Sequence, residues 1–442
     1  MRIVIVGAGA VGSYLAERLS VEGQDVVVIE SDPARARQVQ SDIDCIVITG
    51  NGASAPTLEQ ARLSEADLLI AVSSSDAVNV LACNAAAKFK VPRKVARVED
   101  PELRAEVEAL GVDFVIDPGE AAGRELLLVL SRGGISELVE FADGRLVLMG
   151  AYIDPGSAIV GTSLADLRAM VTGWDWLVVA IIRHGETRIA RGSTVLDAGD
   201  HVLLMAKANR TEEAYRLLGL TYKPAQKVII LGGTRLATLT AEMLVEHGIS
   251  TTLIEKDPDR CRYVAENLPE VVTVCGDPSD PKLLQSEGVD AADAVLALTG
   301  WDGENLLGCL ISRSLGAARV IARFSNTDLV GLLSGVGIDA TVSSRLSAAN
   351  EILRFVRRGM IFSVATFPDT EAEAIELEVG PTSPAIGKTL ADLKLPHSMI
   401  IGGMQRDGEA FVPRGTTRIE EGDHLIVMAL PEAIPAAEKL SG

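Results

Sequence analysis

A glycine-rich loop near the N-terminus has the spacing of loops that bind the pyrophosphate of a dinucleotide. It follows a short apolar run and opens an amphipathic helical pattern, which is the setting that this motif requires. Gly7 permits a tight turn, Gly9 lets the backbone approach the pyrophosphate, and Gly12 lets helix and strand pack closely. Free amides at the helix start would face the phosphates. The sequence therefore predicts a site formed by Gly7, Ala8, Gly9, Ala10, Val11 and Gly12.

An acidic residue stands at the end of the next predicted strand. Glu30 is placed to hydrogen-bond the adenosine ribose hydroxyls, and its charge would repel a 2′-phosphate, so NAD(H) is favoured over NADP(H). Loops after the later strands should line the rest of the cleft, where small polar side chains reach adenine or ribose and an arginine meets phosphate. Each such residue taken singly is more often a turn residue or a surface charge. These predicted rim residues are Asn51, Ser73, Ser74, Arg97 and Val98.

The whole pattern recurs in the second half of the chain with an altered loop. Gly232 matches Gly7, but Thr234 replaces Gly9 and Ala237 replaces Gly12. A side chain at Thr234 should obstruct the approach of a pyrophosphate, whereas Arg235 brings a cation that could hold phosphates. ATP, ADP, NAD(H) or no ligand all stay open for this copy. Its predicted site residues are Gly232, Gly233, Thr234, Arg235, Leu236, Glu255, Asp277, Thr299 and Arg323.

Neither copy is accompanied by a recognisable catalytic constellation. His201 and His424 occupy equivalent Gly-Asp-His sequences, which indicate a repeated structural turn, and no metal-binding spacing occurs. The five cysteines are scattered without a Cys-x-x-Cys pair, which favours reduced thiols. The sequence thus predicts a nucleotide sensor with neither catalytic residues nor metal ligands. An NAD-dependent oxidoreductase and a scaffold with empty clefts are the alternatives.

The composition of the chain disfavours nucleic acid as a partner and indicates what kind of core the protein has. The 442 residues carry a formal net charge of −20, and that field disfavours nucleic acid. Hydrophobic residues make up 48% of the chain, enough for sizeable cores, yet no apolar run approaches the length of a membrane helix. The 4% aromatic content indicates aliphatic cores of buried parallel strands.

Alternating apolar strands and amphipathic helices in each copy predict an α/β fold with two Rossmann-like, doubly wound parallel sheets. A small α+β module follows each sheet. We expect the four segments to span residues 1–135, 136–222, 226–361 and 362–442, with a linker at residues 219–226. An apolar helical stretch closes each large copy, at residues 121–130 and 347–356. The stripe of Leu126, Leu127, Val129 and Leu130 suits either a domain core or a dimer face.

Taken together, these motifs resemble the regulatory, RCK-type subunit of Trk potassium-uptake systems over essentially the whole chain. The resemblance rests on GAGAVG with Glu30, on its repeat GGTRLA with Glu255, and on the paired blocks GTSLADL and GKTLADL. It implies NAD(H) in the first large domain and an adenine nucleotide in some second domains. It also implies a cytoplasmic protein, peripheral on the inner face of the cell membrane. Such proteins assemble as homo-oligomers, usually tetrameric gating rings, on an integral-membrane potassium-translocating subunit of the TrkH/TrkG type.

Overall fold

The computed structural model describes residues 1–131, 137–170, 175–217, 225–325, 336–356, 361–367 and 370–442. The chain separates into two compact units. Unit 1 contains Met1–Ala122 and Ser344–Val356, and unit 2 contains Gly123–Ser343 and Arg357–Gly442. Most of the linker predicted at residues 219–226 lies outside the described residues.

Helices occupy the segments whose apolar residues recur at helical spacing. They are α1 (Ala10–Val21), α2 (Pro33–Asp42), α3 (Ala55–Gln60), α4 (Asp76–Lys88), α5 (Pro101–Ala109), α6 (Pro118–Ser131), α7 (Leu164–Met170), α8 (Thr211–Leu217), α9 (Arg235–Glu246), α10 (Pro258–Asn267), α11 (Pro281–Ser286), α12 (Asp302–Ser314), α13 (Ser344–Val356) and α14 (Ile434–Glu438). Asp-Pro pairs begin α2, α10 and α11. The aspartate accepts a hydrogen bond from an amide of the first turn, and proline is tolerated at the first helical position because the amide it lacks would have no partner within the helix. None of the described helices has the length and apolar character needed to cross a membrane.

Unit 1 is built on a six-stranded parallel sheet. Its strands are β1 (Arg2–Val6), β2 (Asp25–Glu30), β3 (Ile46–Thr49), β4 (Leu68–Ala71), β5 (Arg93–Arg97) and β6 (Phe114–Ile116). The order β3-β2-β1-β4-β5-β6 reverses direction between β1 and β4, so a crevice opens there at the carboxyl ends of the strands. Because side chains alternate along a strand, Ile3 and Ile5 join the core beneath α1, and Val4 and Val6 join the core beneath α4.

The last helix of unit 1 comes from far along the chain. Helix α13 follows the second parallel sheet in sequence, yet it packs beside α1 with Ile352 and Leu353 fully buried in the core. Phe355 stacks on Phe114 with ring centroids 5.3 Å apart. A helix that the sequence assigns to residues 226–361 therefore belongs to the compact unit of the first copy. The four segment bounds stay a prediction about sequence modules.

Unit 2 contains the second parallel sheet and both small modules. The parallel sheet is formed by β12 (Lys227–Leu231), β13 (Ser250–Glu255), β14 (Val272–Cys275), β15 (Ala294–Ala297), β16 (Val320–Arg323) and β17 (Ala340–Val342). Its order, β14-β13-β12-β15-β16-β17, repeats that of the first sheet. The later part of α6 belongs to this unit, where Leu126, Val129 and Leu130 of the predicted stripe are buried as core residues and Leu127 is half-buried.

Each small module is a five-stranded antiparallel sheet. The first has the order β10-β9-β11-β8-β7, and the second β18-β19-β22-β20-β21. Their strands are β7 (Glu137–Phe141), β8 (Leu146–Tyr152), β9 (Trp176–Arg183), β10 (Glu186–Ile189), β11 (His201–Lys207), β18 (Ile361–Thr366), β19 (Glu373–Glu378), β20 (Met399–Arg406), β21 (Glu409–Phe411) and β22 (His424–Ala429). A Cβ on Gly402 would lie 2.6 Å from Val179, which shows how closely the two sheets approach. This architecture confirms the predicted α/β fold with α+β modules.

The repeated Gly-Asp-His sequences form structural turns. Asp200 is buried and accepts two hydrogen bonds from the Arg183 guanidinium, at 2.6 and 2.7 Å. Asp423 accepts the same pair from Arg406 at the same distances. His201 stacks on Tyr152 with centroids 4.4 Å apart. The same Arg–Asp geometry in both turns gives the repeated sequence a structural explanation.

Candidate functional site

A cleft of about 360 Å³ lies where the strand order of the first sheet reverses. Its volume falls within the range of small-molecule sites. Glycine-loop, strand-end and rim residues meet in it because the carboxyl ends of parallel strands share one edge of the sheet. The predicted site residues that line the cleft are Gly7, Gly9, Ala10, Val11, Glu30, Asn51, Ser73, Ser74 and Arg97.

The three glycines of the first loop have different surroundings. Gly7 has φ +96°, and a Cβ there would lie 2.6 Å from the Ser73 Cα. A Cβ on Gly12 would lie 1.9 Å from the Gly7 carbonyl oxygen, so helix and loop pack as the motif predicts. A Cβ on Gly9 would meet nothing within 4 Å. Gly9 is therefore dispensable for packing, and its missing side chain leaves the cleft open at the start of α1.

The carboxylate of Glu30 holds the loop in place. It is 5% exposed and accepts hydrogen bonds from the Ala8 amide at 2.7 Å and the Asp32 amide at 2.9 Å. Burial by itself would raise its pKa, but these amides, the Ser31 hydroxyl and the charge of Arg35 together lower the pKa below the ordinary value. Glu30 is thus ionised at neutral pH, which presents a negative charge beside the loop.

Buried Asn79, which the sequence analysis did not assign to the site, organises the rim. Its Oδ1 accepts hydrogen bonds from the Ser73 amide at 2.9 Å and the Ser73 hydroxyl at 2.8 Å. Its Nδ2 donates to the carbonyls of Ser73 at 3.0 Å and Arg97 at 2.9 Å. The recurrence of asparagine at 305 was the signal that could have identified this clamp. Arg97 itself forms an ion pair with Glu99.

Some predicted residues lie outside the cleft lining, and others were missed. Ala8 and Gly12 support the loop from behind, and Val98 is buried in the core with its amide donating to Ile116 at 3.0 Å. Most of the missed lining residues come soon after β2, β3 or β4, a position that could have identified them from the sequence. The missed residues are Val6, Ile29, Ser31, Asp32, Arg35, Gly50, Gly52, Val72, Ser75 and Val78.

The loop of the second copy keeps the turn but is held by protein side chains. Gly232 has φ +101°, and a Cβ there would lie 3.0 Å from Thr299, as at Gly7. Thr234 caps α9: its Oγ1 accepts a hydrogen bond from the Ala237 amide at 3.3 Å and donates to the Leu298 carbonyl at 2.6 Å. An amide of the first helical turn is thereby already satisfied by the protein.

Arg260 adds a second closure of this loop. Its Nε donates to the Gly233 carbonyl at 3.0 Å, and its Nη2 donates to the same oxygen. The equivalent residue of the first copy, Arg35, instead has its Nη1 3.9 Å from the Glu30 carboxylate. Glu255 holds the loop as Glu30 does, accepting from the Gly233 amide and from the Asp257 amide at 2.8 Å.

The remaining residues predicted for the second site fall into three groups. Thr299 and Arg323 meet at the rim, where the Arg323 Nη1 donates to the Thr299 carbonyl at 3.2 Å. Asp277 is exposed beyond β14, and hydrogen bonds from the hydroxyl and amide of Ser279 lower its pKa. Arg235 begins α9 in a half-buried position, and Leu236 is buried behind it.

Metal binding has no support in the described ranges, where no group of three or more His, Cys, Asp or Glu side chains could hold an ion. The chemistry available at both loops is hydrogen bonding and charge, from loop amides, one carboxylate and nearby guanidinium groups. These features suit a bound nucleotide.

Comparisons with known proteins agree with this geometry. The TrkA-N domain model matches residues 3–118 and 228–344, and the TrkA-C domain model matches residues 148–219 and 374–442. The Trk system potassium uptake protein TrkA of Azorhizobium caulinodans is 33% identical over 450 residues, covering 100% of this chain and 98% of the relative.

Two solved structures share the fold at lower identity. The GsuK channel bound to NAD has a TM-score of 0.61 and 19% identity, covering 100% of this chain and 78% of the channel chain. GsuK bound to ADP has a TM-score of 0.52 and 17% identity, covering 80% and 69% of the respective chains. With both domain types matched in tandem and a relative that aligns from end to end, this chain belongs to the TrkA family of Trk potassium-uptake proteins.

Proposed function

We propose that this protein is a regulatory subunit that senses nucleotides and controls a membrane potassium transporter, with NAD(H) bound in the first cleft. The observation that carries the proposal is the open start of α1 at Gly9 beside the ionised Glu30 carboxylate. Open amides favour a pyrophosphate, and the carboxylate favours ribose hydroxyls over a 2′-phosphate. A related fold has been solved as the GsuK channel bound to NAD.

We propose a different ligand, ATP or ADP, for the second cleft, with NAD(H) as the alternative. Thr234 already occupies an amide of the first helical turn that a pyrophosphate would need, while Arg235 and Arg323 supply positive charge near the loop. The phosphates of ATP or ADP, held by arginine side chains, suit this arrangement better than a dinucleotide pyrophosphate held by backbone amides. The solved GsuK structure bound to ADP supports an adenine nucleotide in this fold.

The proposed partner is an integral-membrane potassium-translocating subunit of the TrkH/TrkG type, bound from the cytoplasmic side. Relatives named as potassium uptake proteins support this assignment. The proposed assembly is a homotetramer whose paired domains form a ring. The net charge of −20 gives no reason to expect nucleic acid as a partner.

Control of transport requires unequal binding. A nucleotide shifts the assembly between two states only if it binds one state more tightly than the other. Two clefts with different closures in one chain can respond to different ligands, so the ratio of nucleotides becomes the signal. No hydride transfer is needed, and NAD(H) serves as a ligand.

Calorimetry on the full-length protein with NADH, NADPH, ATP and ADP tests the proposal. NADH binding at one site, with weaker NADPH binding, is expected, together with an altered potassium flux when the protein is added to vesicles containing the translocating subunit. No binding by any of the four nucleotides would favour the scaffold alternative. Turnover of NADH with a carbonyl substrate, without any change in flux, would favour an oxidoreductase.

A further inference from the structure

Two of the five cysteines, one on a helix and one on the strand that follows it, lie near each other beside the second glycine loop. Cys261 on α10 is 7% exposed, and its thiol donates to the Glu255 carbonyl at 3.1 Å. Cys275 ends β14, pairs with Glu255 in the sheet and is exposed. Both cysteines therefore lie beside Glu255, close enough that the Cys275 thiol contributes to the raised pKa of Cys261. The five cysteines are scattered along the sequence, and this pair is brought together only by the packing of α10 on β14.

The first copy has no such pair. Its equivalents of Cys261 and Cys275 are Ala36 on α2 and Thr49 on β3, where Thr49 pairs with Glu30 as Cys275 pairs with Glu255. Cys83 and Cys309 behave differently, since they are repeat counterparts buried in the two cores, and burial raises the pKa of each to about 12. The dithiol is therefore a property of the second loop, separate from the cysteines that serve as core residues.

We propose that Cys261 and Cys275 are a reversible modification site that forms an intrachain disulfide with a low-molecular-weight disulfide as oxidant. The exposed Cys275 thiolate attacks one sulfur of the oxidant, forming a mixed disulfide and releasing one thiolate. The Cys261 sulfur then attacks the Cys275 sulfur, forming the protein disulfide and releasing the second thiolate. Two protein thiols are oxidised, one external disulfide is reduced to two thiols, and the two protons pass to the released thiolates.

The bond would act on the second loop. Cys261 follows Arg260, whose guanidinium closes the loop at the Gly233 carbonyl, and Cys275 is the sheet partner of Glu255, which holds the Gly233 amide. Tying α10 to β14 would hold Arg260 in its closing position. This consequence rests on the proposed nucleotide site: because the arrangement so held is the one proposed to suit ATP or ADP, we expect their affinity there to rise by several-fold.

The step that forms the disulfide should be slow near neutral pH. Burial, the contact with Cys275 and the charges of Glu255 and Asp257 raise the pKa of Cys261 to about 12. Because the thiolate is the attacking species, its small fraction at pH 7 limits the second exchange, and raising the pH to 9 should accelerate it. The mixed disulfide at Cys275 should accumulate transiently at the lower pH.

The test incubates the full-length protein with oxidised glutathione at pH 7 and pH 9, blocks free thiols under denaturing conditions and maps the peptides by mass spectrometry. A peptide pair joining 261 to 275, formed faster at pH 9 and removed by a reductant, is expected. Cys261→Ser should stop the reaction at glutathionylated Cys275, and Cys275→Ser should abolish both products. A folded protein with no linked peptide at either pH would overturn the proposal, as would equal linkage to Cys45. Linkage without any change in nucleotide affinity would leave the disulfide site standing and refute its effect on the second loop.

Discussion

The two glycine loops form the same turn, in sheets of the same strand order, but they differ at the start of the helix that follows each loop. At Gly9 the helix start is open, with no atom within 4 Å of the position of a Cβ. At Thr234 the side chain caps the helix, and Arg260 covers the Gly233 carbonyl. The Thr234 side chain and the different direction of Arg260 thus distinguish a loop held by protein side chains from a loop with an open helix start. The two copies share one fold, and the ligands proposed for them differ because of this local difference.

Both copies nonetheless keep the devices that shape the rim. Asn305 repeats the hydrogen bonds of Asn79: its Oδ1 accepts from the Thr299 amide and hydroxyl at 2.8 Å each, and its Nδ2 donates to the Arg323 carbonyl at 2.9 Å. Both asparagines are fully buried. The asparagine clamp of the rim is therefore present in both copies, and the differences described above lie at the loop.

The strongest test of the comparison is Gly9→Asp. The new side chain enters open space, so the fold should tolerate it, while its charge would face the pyrophosphate. We expect NADH affinity at the first site to fall by at least about a hundredfold, since apposed like charges cost several kcal/mol. Calorimetry measures the loss, and Thr234→Asp is the matched control that should leave the first site unchanged. Undiminished NADH binding in Gly9→Asp would refute the assignment of this loop.

Removing the asparagine clamps should cost similar stability in both copies. Asn79→Ala leaves the Ser73 amide and the Arg97 carbonyl without their buried partner, and Asn305→Ala does the same at Thr299 and Arg323. Each variant should lose about 2 kcal/mol of unfolding free energy, the typical cost of unsatisfied buried groups. Denaturant titration measures the loss. A much smaller loss for Asn305→Ala would show that the second framework is looser than its contacts indicate.

Opening the second loop should convert it toward the first. Thr234→Gly combined with Arg260→Ala removes the Thr234 cap, which frees the Ala237 amide, and removes the guanidinium that lies on the Gly233 carbonyl. We expect NADH affinity at this site to rise by about tenfold, equivalent to about 1.4 kcal/mol. The cap itself should cost only a few tenths of a kcal/mol when replaced by glycine. The reciprocal Gly9→Thr should weaken the first site, and an unchanged second site would show that other residues exclude the dinucleotide.

A smaller effect concerns pH and Glu30. Its pKa is lowered in the folded protein, so the ionised carboxylate stabilises the fold above the ordinary value of 4.5, and that contribution is lost as the pH falls through the lowered value. The stability advantage of the native chain over Glu30→Gln should therefore shrink below about pH 4. Thermal unfolding at several pH values measures it. At neutral pH the same variant should also discriminate less between NADH and NADPH, and unchanged discrimination would contradict the proposed role of the charge.

Several site features were accessible from the sequence because they depend on local order. The Gly7–Gly12 spacing, the acid at the end of β2 and the polar residues after β3 and β4 are all predictable once strands alternate with helices. Asn79 and Arg260 were not assigned, since their partners lie on other elements and their roles depend on side-chain direction. The cysteine pair was missed for the same reason, because helix α10 and strand β14 bring together residues with no shared motif.

The amino-acid sequence by itself determined the strands, the helices, their duplicated order and the two loop types, since short-range patterning and glycine geometry specify these features. Tertiary structure alone decided which groups meet. It placed α13 on the first sheet, turned Arg260 onto the Gly233 carbonyl and set Cys261 against Cys275. Such contacts depend on which apolar faces pack together between elements that are far apart in the chain. That packing minimises the exposed apolar area of a whole unit, so no local sequence pattern can encode it.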